Sequence, residues 1–167
     1  MAEAPSEVAY DDVFSTLHDG VLRYAYLLVG DRDVARDLTS EAFARMLVPW
    51  RRRHVAAPEA YVRRIVVNLV RDRYRATQRR EARERQVASS EAEPTFEGDL
   101  AERANLLHAL SALPPRQRAV VVLRYYEQRS EAEIAAMLGI RIGTVKSTLS
   151  RGLVELRERL REQGDPR

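Results

Sequence analysis

Cysteine is missing from all 167 residues, which excludes disulfides and thiolate metal sites and fits a reducing cytoplasm. Histidine occurs only at His18, His54 and His108, too far apart to match any metal-ligand spacing. There is no run of about 18 apolar residues, so no membrane-spanning helix is expected. The first residues, MAEAPSEVAYDD, are acidic and lack the basic-then-apolar order of a secretory signal. Strand signals are absent as well: nothing alternates with period two, and no Asn-Gly or Asp-Gly pair separates apolar runs. Nor is there a glycine-rich phosphate loop, a Ser/His/Asp set or a metal-spaced cluster, so an enzyme is the least expected class. No catalytic residue, cofactor, metal or small-molecule substrate is expected.

What the chain does have is helical periodicity, with 45% hydrophobic residues and a mean hydropathy of -0.42 that suits a water-soluble protein. Val13, Leu17, Val21, Tyr24 and Leu28 form one apolar stripe, ended by Gly30. Val34, Leu38, Ala42 and Met46 form a second, with Asp31 or Asp33 as N-cap. Pro58 suits the first position of a third helix, whose apolar side is Val62, Ile65, Val66 and Leu69. Periodicity is lost over residues 86–99, QVASSEAEPTFEGD, which read as a linker. It returns at Leu106, Leu107, Leu110 and Leu113, breaks at Pro114-Pro115, and resumes through Val120, Val121, Leu123 and Tyr126. The expected fold is all-α: two small helical domains joined by a flexible linker.

Charge is unevenly placed. Residues 51–80 hold ten arginines against two carboxylates, net +8, and residues 141–167 are net +3. Residues 81–104, lying between them, are net -4. Two basic zones flanking an acidic stretch predict two places that touch a polyanion. Lys146 is the sole lysine, and arginine favours forked contacts to phosphates and base edges.

One stretch narrows the class. In SEAEIAAMLGIRIGTVKSTLSRGLVELRERL, Ser130 and Glu133 form a capping box that starts a short helix at Glu131, and Gly139 stops it after Leu138. Ile134, Ala135 and Leu138 are expected to face inward. A second helix begins near Ile142 or Gly143 and carries Val145, Leu149, Leu153, Leu156 and Leu160 on one side. Opposite lie Thr144, Ser147 and Arg151, flanked by Lys146 and Ser150. A short helix, a glycine turn and a helix with a slim, polar, basic free face predict a helix-turn-helix. Gly143 and Thr144 give the slim start a major groove requires, and Lys146 and Arg151 neutralise backbone charge.

Residues 113–152, LPPRQRAVVVLRYYEQRSEAEIAAMLGIRIGTVKSTLSRG, strongly resemble the promoter-binding region 4 of bacterial extracytoplasmic-function sigma factors. LLVGDRDVARDLTSEAFARM (27–46) and PEAYVRRIVVNLVRDRYR (58–75) resemble their region 2. The resemblance spans about residues 10–160 in the family's order. It implies a cytoplasmic promoter-specificity subunit with a region 2 domain at 10–82, an acidic linker at 83–101, a region 4 domain at 102–163, and tails at 1–9 and 164–167. Its implied partners are core RNA polymerase, promoter DNA and, as often in the family, an anti-sigma protein, with no membrane partner.

Carried over by position, Asp37, Ser40 and Glu41 would bind the clamp helices of the largest polymerase subunit, and the second domain would sit near the flap of the second-largest. Arg36, Thr39 and Ser40 stand where the family usually has Glu, an apolar residue and Gln. Arg52 and His54, in the WRRRHVAA loop of residues 50–57, with Tyr61, Arg64, Asn68, Arg71 and Arg75, would take the −10 element. Tyr61 replaces a more usual tryptophan. Arg141, Gly143, Thr144, Lys146, Ser147, Ser150 and Arg151 would take the −35 element. Here Arg141 replaces a capping Ser, a difference of about 1 kcal/mol. Thr148 replaces an arginine and Gly152 an alanine, which should retune −35 affinity. Two other classes fit less well: a stand-alone DNA-binding regulator would need a dimer interface, and a sequestering protein module would have no use for the arginines.

Overall fold

The computed structural model describes residues 7–52, 55–84 and 99–164, and among them all the regular elements are helices. The first half holds α1 (Glu7–Val29), α2 (Arg32–Arg52) and α3 (Pro58–Glu84). The second holds α4 (Asp99–Ala112), α5 (Pro115–Val121), α6 (Glu131–Leu138) and α7 (Ile142–Gly164). The aperiodic stretch expected at 86–99 lies outside the described residues except Asp99, which opens α4. Helix therefore reaches into both margins of the expected 83–101 linker.

Local chemistry accounts for most element ends. The Asp31 carboxylate accepts from the Asp33 and Val34 amides at 2.9 Å each, so Asp31 is the N-cap of α2. Pro58 is the first residue of α3, where its missing N–H costs nothing. The capping box at α6 is formed in both directions: the Glu133 amide donates to Ser130 Oγ at 3.2 Å, and the Ser130 amide donates to Glu133 Oε2 at 2.8 Å. Gly139 ends α6 with φ +65°, a left-handed conformation that favours glycine.

Two departures from the expected pattern matter. Helix α2 continues through Pro49 and buries Trp50 (3% exposed), so residues 50–52 of the expected loop are helical. In addition, α5 passes into a π-helical turn, Val122–Tyr126, closed by Glu127 N–H donating to the Val122 carbonyl at 3.1 Å. The wider turn shifts the helical register, and Tyr125 and Tyr126 stand more than half exposed; the expected inward place of Tyr126 is corrected. Leu106 and Leu160 are also exposed, not packed. Leu160 lies beyond Leu153 and Leu156, the last α7 residues against the core.

The two halves share one hydrophobic core. Val21, Tyr24, Leu28, Met46, Val62 and Val66 from the first half are continuous with Leu113, Val120, Leu123, Ile134 and Val145 from the second. Helix α1 packs on α4 and α5, and α3 packs on α5 and α6. Burial of this kind stabilises by about 25 cal/mol per Å² of apolar surface, so the halves are joined by more than their linker.

Candidate nucleic-acid interface

The recognition helix of the helix-turn-helix presents a free face. Arg141, Gly143, Lys146, Ser147, Ser150 and Arg151 are exposed, Thr144 is half-buried, and Val145, Thr148 and Leu149 point inward. Only weak contacts tie the cations: Lys146 lies 3.7 Å from Glu131, and Arg151 Nε donates to the Ser147 carbonyl at 3.2 Å. Exposed pairs of this kind contribute little, so Lys146, Arg141 and Arg151 are available to phosphates. Thr148 is only 5% exposed. Thr148 thus belongs to the packed side of the helix, not to its outer face.

Gly152 has a packing role. A Cβ at this position would lie 3.0 Å from Val121 Cγ2 and 3.4 Å from Gln117 Cβ. The glycine lets α7 close on α5, which positions the recognition helix.

The second basic zone is organised differently. On α3, Arg64, Asn68, Arg71 and Arg75 are exposed along one side, and Tyr61 is half-buried at its start. Arg52 is exposed at the last turn of α2, and His54 lies outside the described residues. Asp37, Ser40 and Glu41 are exposed together on α2, as a docking stripe requires, and Glu41 accepts from Arg45 Nε at 2.7 Å. Thr39, beside them in sequence, is fully buried and donates its hydroxyl to the Ala35 carbonyl at 2.7 Å. It fills an apolar position at no hydrogen-bonding cost.

Several arginines turn out to be structural, which the sequence pattern did not reveal. Arg63 is 5% exposed. It lies 3.0 Å from Glu59 on its own helix and 3.0 Å from Glu127 of the second half. Arg129 closes the group, 2.5 Å from Glu59 and 3.8 Å from Glu127, and also lies 3.6 Å from Glu133. Arg118, 6% exposed, donates to the carbonyls of Leu28, Ser111 and Leu113. Burial, opposed by the nearby Tyr74, pulls its pKa down to about 10. Tyr24 is buried under Arg63, whose guanidinium carbon is 5.8 Å from the ring centroid. Desolvation, then the Glu127 charge, raise the Tyr24 pKa well above its ordinary value. At the α6 cap, the Ser130 hydroxyl and amide hold the Glu133 carboxyl below its ordinary value.

Arg64 also has a partner across the halves. Its Nε donates to the Met137 carbonyl at 3.2 Å and its terminal nitrogen to the Ala136 carbonyl at 2.9 Å, at the C-terminal end of α6.

Comparison with known proteins gives the family of both halves. The family described as Sigma-70 region 2 matches residues 13–80, and that described as Sigma-70, region 4 matches residues 103–156. An RNA polymerase sigma-E factor of Streptomyces coelicolor is 40% identical over 152 residues, covering 90% of this chain and 85% of the relative. The ECF RNA polymerase sigma factor SigW of Bacillus subtilis is 30% identical over 168 residues, covering 92% and 90%. Among solved structures, the sigma factor RpoE crystallised with the anti-sigma factor NepR from Bartonella quintana aligns over 91% of this chain and 96% of that one. Its TM-score is 0.63 and its identity 24%, a likeness of fold.

Proposed function

From the premise that this chain belongs to the extracytoplasmic-function RNA polymerase sigma factors, with sigma-70 regions 2 and 4, we propose how its surfaces divide the work. It is a non-enzymatic initiation factor that directs RNA polymerase to promoters. In this reading the first half is the region 2 domain. Its α2 stripe of Asp37, Ser40 and Glu41 docks on the clamp helices of the largest polymerase subunit in the cytoplasm. Tyr61, Arg64, Asn68, Arg71 and Arg75 on α3, with Arg52, then hold the −10 strand. The arginines take phosphates, Asn68 a base edge, and Tyr61 stacks. Melting needs no bond chemistry, because unstacking costs a few kcal/mol per base and a binding site can offset that.

The second half is the region 4 domain, sited near the flap of the second-largest subunit, with α7 in the −35 major groove. Lys146, Arg141 and Arg151 hold the backbone, and Gly143, Thr144, Ser147 and Ser150 let the helix approach base edges. The acidic linker keeps both domains on one promoter by raising the effective concentration of the second contact. An anti-sigma protein is a further partner this surface could accept. The observation that carries the reading is the exposed, weakly tethered basic face of α7 following, in the same chain, an exposed arginine–asparagine row on α3.

Transcription in vitro with purified core polymerase on a genomic fragment library, with and without the chain, tests it. New start sites that share −10 and −35 motifs are expected only when the chain is present. Failure to associate with core enzyme, or association without any defined start, overturns the proposal.

A further inference from the structure

The first fifty residues carry nine carboxylates against four arginines, Arg23, Arg32, Arg36 and Arg45. Three of those four meet at one place. Arg23 on α1 and Arg32 and Arg36 on α2 line a pocket of about 250 Å³, whose other walls are Leu22, Tyr26 and Ala35. Every lining residue comes from the end of α1 or the start of α2. The pocket therefore shares no residue with α3 or α7, the helices assigned to DNA.

The charge of this pocket is largely uncommitted. Arg45, the cation left out of it, is held by Glu41 at 2.7 Å. Arg36 lies 3.1 Å from Asp33, but both side chains are well exposed, and such a pair contributes little. Among the described residues, neither Arg23 nor Arg32 has a carboxylate within ion-pair distance. The carboxylates nearest them in sequence are engaged elsewhere. Asp19 contacts the His18 ring at 3.1 Å, and Asp31 accepts from the Asp33 and Val34 amides that it caps. Three guanidiniums around one small volume repel one another until an anion sits among them, and their forks match phosphate oxygens two at a time. The floor is different in kind: Ala35 is fully buried, and Leu22 and Tyr26 are half-buried. A bare anion would use only the arginine rim, whereas a planar ring carrying a phosphate chain would use rim and floor together.

We propose that the α1–α2 pocket binds a small nucleoside polyphosphate, with Arg23, Arg32 and Arg36 on the phosphates and Tyr26 and Leu22 against the base. Its volume lies just under the roughly 300–1,000 Å³ usual for small-molecule sites, which suits a single nucleotide. The site goes beyond promoter direction and does not rest on it, since none of its residues belongs to the surfaces assigned to DNA or to the docking stripe.

The probes are ATP, inorganic tripolyphosphate and adenosine, titrated into the full chain by calorimetry without magnesium. ATP should bind with a Kd below about 1 mM, and adenosine should give no binding. Tripolyphosphate carries more charge than ATP, so charge alone would make it the tighter ligand; the base contact should make it the weaker, by about threefold or more. Arg23→Gln/Arg32→Gln, at two exposed positions, should weaken ATP about tenfold or more. Arginines elsewhere also attract phosphates, so Arg71→Gln/Arg75→Gln is the control and should leave ATP affinity within about twofold of the parent. Tyr26→Leu should weaken ATP and leave tripolyphosphate unchanged; if that variant does not fold, the comparison of the two probes on the parent decides the base contact. Amide resonances of Leu22, Ala35 and Arg36 should shift as ATP is added. No binding of ATP, equal losses in the two double variants, or tripolyphosphate binding as tightly as ATP overturns the site. The titration needs neither promoter nor polymerase, so it can fail while promoter direction stands, and the transcription assay can fail while the pocket stands.

Discussion

Helices α3 and α7 are both basic, yet they hold their cations in opposite ways. At the start of α7, Lys146 and Arg151 point to solvent and meet only loose partners, such as Lys146 at 3.7 Å from Glu131, and the closer Arg159–Glu155 pair further along, at 2.9 Å, is itself exposed to solvent. On α3 the richer supply of arginine is partly committed: Arg63 is sealed among Glu59, Glu127 and Tyr24, and Arg64 binds the end of α6. The number of arginines in a segment therefore overstates the number ready to meet a phosphate. What separates the two helices is burial and the carboxylates or carbonyls supplied from elsewhere in the chain.

Removing an arginine from the committed class should have the largest effect. Arg63→Ala leaves Glu127, whose side chain is 10% exposed, with only the more distant Arg129. Stripping one partner from a buried pair costs about 3 kcal/mol or more, which chemical denaturation of the free protein would read as a large drop in midpoint. The double variant Arg63→Met/Glu127→Leu should recover most of the loss, because it removes both charges and keeps the volume. Arg151→Ala, from the free class, should leave the midpoint within about 0.5 kcal/mol of the parent. Equal losses for Arg63→Ala and Arg151→Ala would erase the distinction between the helices.

A smaller effect tests how α7 is seated. Gly152→Ala should gain about 0.5–1 kcal/mol in helix propensity. It forces a Cβ to 3.0 Å from Val121 Cγ2. Overpacking of this sort costs about 1–3 kcal/mol. The net expectation is a loss of about 1 kcal/mol, reversed in sign when Val121→Ala is added beforehand to make room. The same denaturation series reads both. A stabilised single variant would mean that α5 yields easily and that the glycine does not set the spacing.

The sequence revealed most of the local structure because caps and apolar stripes act over a few residues. Asp31, Pro58, Ser130 with Glu133, and Gly139 all end or begin helices where short-range chemistry places them. It also revealed the outward set on α7, since a helix with one apolar side leaves the other to solvent. Three features escaped. The π-helical turn at Val122–Tyr126 inserts a register shift into a stripe that reads as continuous, and so misplaced Tyr126. Helix α2 runs past Pro49 because Trp50 is buried beyond it. The commitment of Arg63, Arg64 and Arg118 depends on partners 64 to 90 residues away in the chain, and periodicity carries no information at that range.

The smallest expected effect distinguishes stability from binding on the free helix. Arg141 is the N-cap of α7: its carbonyl accepts from the Thr144 and Val145 amides at 2.9 and 3.1 Å. Its cationic side chain sits at the positive end of the helix dipole. Arg141→Ser supplies a hydroxyl for an orphan amide and removes that repulsion, for a gain of about 0.5–1 kcal/mol. In a chain of this length each kcal/mol moves the midpoint by about 2–4 °C, so thermal unfolding should rise by a few degrees. Binding of a −35 duplex taken from the transcription selection should weaken, and its salt dependence should flatten by about one phosphate contact. A variant that is both more stable and binds as before would show that Arg141 faces no phosphate. One that loses stability would show that the arginine side chain, not its backbone, holds the start of the recognition helix.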